Sequence, residues 1–302
     1  MSNNNIIKGV FLVALGATSY GMLATFVKLA YKEDFTTAEV TSSQFIYGII
    51  GILIINLFQR TKNKNTAVKA SPKNIMHLML AGTSLGMTSV FYYLAVKYIP
   101  VSIGIVLLMQ TVWMGVLLEW FLDKKAPSAQ KIISVIIVLI GTALAINIFK
   151  IDFNDPTIDW SNGLFWGLLA AASFTTTMFT ANKVALGISS AQRSLYMLLG
   201  GAVIVFGFSL YTQVTPFNFE IFTKWGIVLA LFGTIIPPML LNAGFPHTGI
   251  GLGSIVSSLE LPVSVMMAYF LLSEQVLLIQ WIGIVLIITA IVIMNIQFKK
   301  NK

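Results

Sequence analysis

Ten long apolar runs, each bounded by charged residues, proline or a polar cluster, constrain the fold of this chain most strongly. A helix that crosses a membrane needs about 20 mostly apolar residues, and a membrane barrel would show short alternating segments instead. The sequence therefore predicts an all-α polytopic membrane protein with ten transmembrane helices. We number these runs spans 1 to 10; they cover residues 6–30, 37–58, 74–96, 101–122, 129–149, 161–185, 191–211, 222–245, 249–272 and 276–297.

The composition excludes the other broad classes of protein. The chain is 57% hydrophobic and only 10% charged, whereas a soluble domain carries roughly 25% charged residues. There is too much apolar surface for a disordered chain. The absence of cysteine rules out disulfides and thiolate metal sites. In this setting the net charge of +8 indicates basic cytoplasmic loops rather than a nucleic-acid partner.

The basic residues predict the orientation in the membrane. If the N-terminus is cytoplasmic, the outer side holds five basic residues, which leaves 14 of the 19 inside. Such an excess of cytoplasmic lysine and arginine is the positive-inside rule. An even number of spans also places the C-terminus in the cytoplasm. The five outer residues are Lys28, Lys32, Lys97, Lys150 and Lys224.

The chain contains an internal repeat. When Gln110 is aligned with Glu260, an offset of 150 residues, Gln130 falls on Gln280. Span 1 ends in TFVKLA and span 6 ends in TANKVA, so Lys28 also corresponds to Lys183, here at an offset of 155 residues (183 − 28). We therefore divide the chain into two five-helix repeats, 1–150 and 151–302. Because five is odd, the second repeat is inverted relative to the first, as in many secondary transporters.

Two stretches carry a resemblance to a known family. They are LAVKYIPVSIGIVLLMQ at the junction of spans 3 and 4, and GSIVSSLELPVSVMMAYFLLSEQVLLIQWIG in spans 9 and 10. With the repeated halves, they resemble the EamA-type transporters of the drug/metabolite transporter superfamily. The resemblance implies export or exchange of small metabolites, often amino acids, across a bacterial inner membrane, through a cavity lined by spans 1, 3, 4, 6, 8 and 9. The chain departs from the family pattern at Gln110, where glutamate is favoured, and at Tyr20-Gly21, where tryptophan-glycine is common.

Glu260 is the leading candidate for the transport site. It lies about eleven residues into span 9, and a carboxylate near the bilayer centre normally faces a cavity or a partner. It is therefore a candidate for substrate binding and for proton coupling, or alternatively a hydrogen-bonded residue that fixes span 9. Gln110 in span 4 could bind an ammonium or carboxylate group, or it could join helices.

Further candidates are polar or aromatic residues within the spans expected to line the cavity. Their hydroxyl groups could equally bond their own backbone. Lys28 and Lys183 are candidate charges at the two mouths of the path, with snorkelling to the membrane interface as the alternative. The remaining candidates are Tyr20, Ser19, Thr88, Tyr92, Trp113, Thr177, Asn242 and Ser257.

Glycine and proline indicate where helices approach or bend. Gly82 and Gly86 in span 3 are spaced for close helix packing. Pro237 and Pro238 interrupt span 8, and a kink is expected there.

The function that these patterns favour is a secondary transporter with a midplane site and alternating access between its halves. The alternatives are a membrane-embedded enzyme and a membrane scaffold. An enzyme would need clustered acids, histidines or a metal site, but the two histidines, His77 and His247, are far apart. The partners that we expect are a small-molecule substrate and the lipid bilayer, with a homodimer as a candidate assembly. We expect no cofactor, metal or nucleic acid.

Overall fold

The computed structural model of the chain describes residues 3–62, 68–153, 155–156 and 158–295. Every regular element in this part of the chain is helical, so the predicted all-α class is confirmed. Twelve α-helices follow one another. They are α1 Asn3–Lys32, α2 Thr37–Lys62, α3 Pro72–Tyr98, α4 Val101–Leu108, α5 Thr111–Asp123, α6 Ala129–Ala145, α7 Trp160–Lys183, α8 Ser190–Thr212, α9 Ile227–Ala230, α10 Ile236–Ser257, α11 Glu260–Leu272 and α12 Leu278–Asn295.

Eight helical stretches of the described chain are long and apolar enough to cross a membrane. One of them, Phe222–Leu272, has 51 residues and contains spans 8 and 9. Gly249 divides it, because its φ of 77° and ψ of 174° are not helical. The shorter apolar helix Ala129–Ala145 corresponds to span 5. The membrane class is therefore confirmed, while the number of ten spans stays a prediction.

Side-chain caps fix where four helices begin. Ser71, Ser128, Asp159 and Ser189 each accept a hydrogen bond from the backbone N–H three residues later. This bond satisfies one of the free N–H groups of the first helical turn. At α7, the backbone N–H of Asn162 also lowers the pKa of the Asp159 carboxyl group, because it stabilises the charged form.

Spans 4 and 9 are broken at corresponding points. Span 4 consists of α4 and α5, with the break at Met109 and Gln110, and span 9 breaks before α11. Both second pieces have 13 residues. Each is followed by a residue in the left-handed conformation, Lys124 or Ser273. These two residues are 149 positions apart, so the backbone repeats with an offset one residue shorter than that of the sequence alignment.

The most extensive helix contacts occur in pairs that are related by exchange of the two halves. Span 1 packs against spans 8 and 9, and span 6 packs against spans 3 and 4. Spans 2 and 7 pack together, and so do spans 5 and 10. Between spans 5 and 10, the side-chain amide of Gln130 donates to the carbonyl group of Ile293, and that of Gln280 donates to the carbonyl group of Ala145. The two glutamines aligned in the sequence thus make corresponding contacts.

These contacts define two groups of helices that each combine spans from both halves. Body A contains spans 1, 2, 8 and 9, and body B contains spans 3, 4, 6 and 7; the contact between spans 2 and 7 joins the two bodies. Spans 5 and 10 form a separate pair. The sequence repeats are therefore intertwined, because span 1 packs on the second repeat and span 6 packs on the first.

Small residues allow the closest approach within body B. Gly82 faces the backbone of Met197, and Gly86 faces the backbone of Gly201. The close packing predicted for the glycine pair of span 3 is therefore confirmed, and its partner is span 7. A methyl group at either position would meet backbone atoms, which cannot easily move.

Span 8 departs from regular α-helix before its two prolines. It contains single π-helical turns at Phe222–Gly226 and Leu231–Ile235. Pro237 and Pro238 then occupy the start of α10, where the absent N–H groups cost little. The irregularity expected at the prolines therefore takes the form of wider turns ahead of them, a feature frequent at functional sites.

Candidate functional site

The two ends of the bundle pack differently. We call the end where span 1 begins the N-terminal face; Gly9 lies against His247 there. At this face span 8 of body A packs on spans 6 and 7 of body B, and the start of span 9 packs on span 4. Among the described residues, the symmetry-related pairs at the opposite face show no comparable packing. The bodies therefore close on each other at the N-terminal face.

Glu260 lies where span 9 meets span 1. Its backbone carbonyl group faces Gly21, a position with no room for a side chain. Glu260 is a half-buried residue, and it interacts electrostatically with Tyr20 of span 1 and Tyr92 of span 3. In the described chain no group forms a hydrogen bond or ion pair with it. Glu260, Tyr20 and Tyr92 therefore form one group, which spans both bodies.

A narrow cavity begins at Tyr20 and runs between the bodies. It has room for about one or two water molecules. The ring of Phe174 meets that of Tyr20 edge-on, with centroids 6.2 Å apart. Three of the predicted site residues, Tyr20, Thr177 and Asn242, belong to its lining. The full lining consists of Tyr20, Leu85, Phe174, Thr177, Met178, Ala181, Met197, Pro238, Leu241, Asn242 and Phe245.

Asn242 carries an unused acceptor in this cavity. Its side chain is 2% exposed, and its Nδ2 donates to Ser194 Oγ at 2.8 Å. Within the described part of the chain, its buried Oδ1 has no hydrogen-bond partner. A buried acceptor left unpaired costs about 1–3 kcal/mol, so this oxygen favours a donor from outside the chain.

Arg193 lies next to the cavity, because it bonds the backbone of Asn242, and the sequence does not predict this position. Its side chain is 2% exposed, and it donates four hydrogen bonds to backbone carbonyl groups. The sequence places Arg193 among the 14 basic residues of the cytoplasmic side and predicts no role for it in the site. Its position just inside an apolar span was a signal of burial, because charged residues inside spans normally have a partner.

Both polar atoms of the Gln110 side chain form hydrogen bonds within its own span. Its Nε2 donates to the carbonyl group of Val106 at 3.0 Å, and its Oε1 accepts from Trp113 Nε1 at 2.8 Å. The two side chains thus bridge the break between α4 and α5. Both predicted site residues of span 4 make local contacts, and neither belongs to the lining of the cavity.

The predicted hydroxyl groups divide between helix contacts and their own backbone. Thr88 bonds the carbonyl group of Ser84, and Ser257 bonds that of Gly253, both within their own helices. Ser19 Oγ donates to the carbonyl group of Phe232 at 3.1 Å, which joins span 1 to the π-helical turn of span 8.

Thr177 joins two helices of body B. Its hydroxyl group lies 2.8 Å from that of Ser84 in span 3, and Ser173 Oγ donates to the carbonyl group of Ser84. Thr177 also lines the cavity. The same hydroxyl group therefore joins two helices and belongs to the candidate site.

Lys28 and Lys183 each have an acidic partner within one body. Lys28 pairs with Glu274, which follows span 9, and Lys183 Nζ lies 3.5 Å from Asp123 at the end of span 4. All four side chains are about half exposed. The two pairs occupy related positions in bodies A and B, so each lysine joins neighbouring spans at its end of the bundle.

No group of three or more histidine, cysteine, aspartate or glutamate residues in the described chain could hold a metal ion. Tyr20 connects two polar features of the structure. It interacts with the unpaired carboxylate of Glu260, and it lines the cavity that contains the Asn242 amide, although Glu260 itself is not part of that lining. This arrangement can accept hydrogen bonds and positive charge from a small molecule.

Comparisons with known proteins agree with this fold. The model of the EamA-like transporter family matches residues 7–147 and again residues 161–296. A solved structure described as "Crystal structure of protein" aligns with a TM-score of 0.78 over 97% of this chain and 98% of that chain, at 13% sequence identity. At this identity the likeness shows a shared fold alone. No curated protein matches the chain.

Proposed function

The chain belongs to the EamA-like transporter family, and from this premise we propose that it is a secondary transporter that exports or exchanges small metabolites such as amino acids. The observation that carries the proposal is the unpaired carboxylate of Glu260, which lies beside tyrosines of both bodies. A charge within a membrane bundle is costly unless it has a partner. A substrate ammonium group or a proton supplies that partner.

The role of Glu260 combines binding with coupling. A proton and a substrate cation cannot both neutralise one carboxylate, so each displaces the other. Such competition links the movement of substrate to the movement of protons without any nucleotide. Tyr20 and Tyr92 add hydroxyl groups and aromatic faces, which suit a cation or an apolar side chain.

For the membrane topology we propose ten spans in two inverted repeats, 1–150 and 151–302. The separate family-model matches to residues 7–147 and 161–296 support this division. So does the conformation of Gly249, which separates spans 8 and 9 within the 51-residue stretch. We place the N-terminal face in the cytoplasm, because it carries the excess of lysine and arginine; the bacterial inner membrane is what the resemblance to the family implies.

Alternating access would then be a movement of body A against body B. The candidate site lies between them, with Glu260, Tyr20 and Asn242 on body A and Tyr92, Phe174 and Thr177 on body B. The packing at the N-terminal face fits a state that is closed there and accessible from the opposite face. Movement of the intertwined bodies replaces the simpler expectation that the two sequence halves rock.

The test is counterflow in proteoliposomes that contain the purified protein. Vesicles are loaded in turn with members of a panel of amino acids and related metabolites, and uptake of the same labelled compound is followed. We expect exchange of one chemical class, lost in the Glu260→Gln variant. Glu220→Gln is the matched control, because Glu220 is an exposed glutamate outside the site. Exchange that survives Glu260→Gln unchanged would contradict the role of this carboxylate.

A further inference from the structure

Four polar side chains join the two bodies at the N-terminal face. Asn182 Nδ2 of span 6 donates to the carbonyl group of Phe245 in span 8 at 2.6 Å. Asn242 Nδ2 of span 8 donates to Ser194 Oγ of span 7 at 2.8 Å. Arg193 Nη1 of span 7 donates to the carbonyl group of Asn242 at 2.6 Å. Three hydrogen bonds therefore cross from body A to body B within a few residues of the cavity.

Arg193 also fixes the end of span 6. Its Nη2 donates to the carbonyl groups of Thr180 and Ala181, and its Nε donates to that of Val184. These carbonyl groups belong to the last helical turn and the residue that ends it, where the helix dipole favours a positive charge. The guanidinium group is therefore held on span 6 by three hydrogen bonds. Its Nη1 donates the fourth hydrogen bond to span 8.

Different groups join the two bodies at the opposite face. Tyr31 at the end of span 1 is hydrogen-bonded to Tyr93 of span 3, and Ser42 Oγ of span 2 donates to Ser209 Oγ of span 7 at 3.1 Å. With the offset of 150 residues, Arg193 corresponds to Ser43, whose hydroxyl group bonds the carbonyl group of Val40 in its own helix. Asn242 corresponds to Tyr92. The two faces therefore differ in chemistry, although the backbone is symmetric. In the described chain the buried guanidinium group of Arg193 lies at the N-terminal face, where span 8 also packs on spans 6 and 7, so this face is the closed one.

We propose that Arg193, together with Asn182, Ser194 and Asn242, forms a polar latch that closes the N-terminal mouth of the transport path and opens once in each cycle. This inference rests on the proposed transport function. Arg193 is a positioning residue, because it acts on span 8 rather than on the substrate. Asn242 connects the latch to the site, since its carbonyl group is held by Arg193 while its side chain borders the cavity.

The latch predicts how accessible the cavity is from each face. The chain has no cysteine, so Met178→Cys, at a cavity position that is 1% exposed, gives one reactive thiol. Its labelling by a membrane-impermeant maleimide is measured in vesicles of known orientation, without substrate. In the background of Asn182→Ala, which removes one hydrogen bond, we expect labelling from the N-terminal face to rise about fivefold, the factor that corresponds to ~1 kcal/mol.

Arg193→Gln is the stronger variant, because the shorter neutral side chain cannot reach all four carbonyl groups. We expect a larger rise than for Asn182→Ala in protein that remains monodisperse. Arg60→Gln is the matched control: Arg60 is the chain's other arginine, is exposed at the same face, and lies outside the network. We expect no change for this variant.

Unchanged labelling from the N-terminal face in folded Asn182→Ala would overturn the latch, whether or not Arg193→Gln folds. Counterflow separates this outcome from failure of the proposed function. Active counterflow with unchanged labelling refutes the latch alone. Increased labelling in a protein that exchanges no compound of a broad panel supports the latch as a closure of the mouth and counts against the proposed metabolite class.

Discussion

Gln110 and Glu260 illustrate how residues aligned by the repeat can have different surroundings. The side-chain amide of Gln110 donates a hydrogen bond to Val106 and accepts one from Trp113. The carboxylate of Glu260 has no such partner in the described chain. The first arrangement is a local structural contact, whereas the second leaves a charge for a ligand to neutralise.

Gln110→Met should therefore affect stability more than specificity. The change leaves the indole N–H of Trp113 without its acceptor, and we expect a loss of ~1 kcal/mol in the free energy of unfolding. The substrate preference measured by counterflow should stay the same. Thermal unfolding in detergent gives the first quantity. A changed order of substrates with unchanged stability would instead place Gln110 in the site.

Sequence alone singled out Glu260 because of its depth in an apolar span, and the structure leaves its carboxylate without a partner. The sequence could not identify Arg193 as part of the site, because the four acceptors of the guanidinium group are backbone carbonyl groups. Backbone acceptors have no signature in residue identity, and they come together only when spans 6, 7 and 8 pack. The prediction that Gln110 could bind substrate loses support for a related reason. Both hydrogen-bond partners of its side chain lie three and four residues away in its own span.

At the scale of the helix, contacts rather than composition decide what a glycine does. Gly200 and Gly207 both lie in span 7. Gly200 faces the backbone of Met79 in span 3, while nothing lies within 4 Å of a methyl group placed at Gly207. The sequence indicated close packing from the spacing in span 3, but it could not show which helix would be the partner.

Gly200→Ala and Gly207→Ala form a matched pair that tests this packing. In Gly200→Ala the new methyl group meets backbone atoms, and we expect a loss of ~1–3 kcal/mol in the free energy of unfolding. In Gly207→Ala the higher helix propensity of alanine should leave stability unchanged or raise it by up to ~1 kcal/mol. Thermal unfolding of both proteins is the measurement. Equal stability would show that spans 3 and 7 are not in close contact.

Corresponding helices also differ in the contacts that join spans 4 and 5 and spans 9 and 10. Glu119 pairs with Lys131 in the first half, and at the same offset of 150 residues Tyr269 meets Trp281 ring to ring. The sequence predicted matching helices because apolar periodicity repeats. It could not predict that an ion pair in one half is replaced by an aromatic pair in the other.

At the scale of the whole molecule, most of the architecture follows from length and hydropathy. The spans and their order follow from local sequence and the repeat, whereas the break in the fourth helix of each half appears only in the structure. The division into bodies A and B was not predicted, because it depends on which spans pack across the halves. The same holds for the cavity, whose lining combines side chains of spans 1, 3, 6, 7 and 8.

The predicted orientation is testable with single cysteines in the cysteine-free chain. Val68, between spans 2 and 3, and Val214, between spans 7 and 8, are 60% and 96% exposed. We expect an impermeant maleimide to label Val214→Cys in intact cells, and Val68→Cys only after the cells are opened. The reverse pattern would invert the orientation, and labelling of both in intact cells would contradict the proposed number of spans.

The central claim is that the unpaired carboxylate of Glu260 binds the substrate or the coupling proton. The most direct test is the pH dependence of counterflow for the parent protein and for Glu260→Gln, both shown to be folded and inserted. We predict that the parent exchanges one class of metabolite with a rate that depends on pH, and that the variant loses exchange or loses its pH dependence. Equal, equally pH-dependent exchange by both proteins would contradict the account.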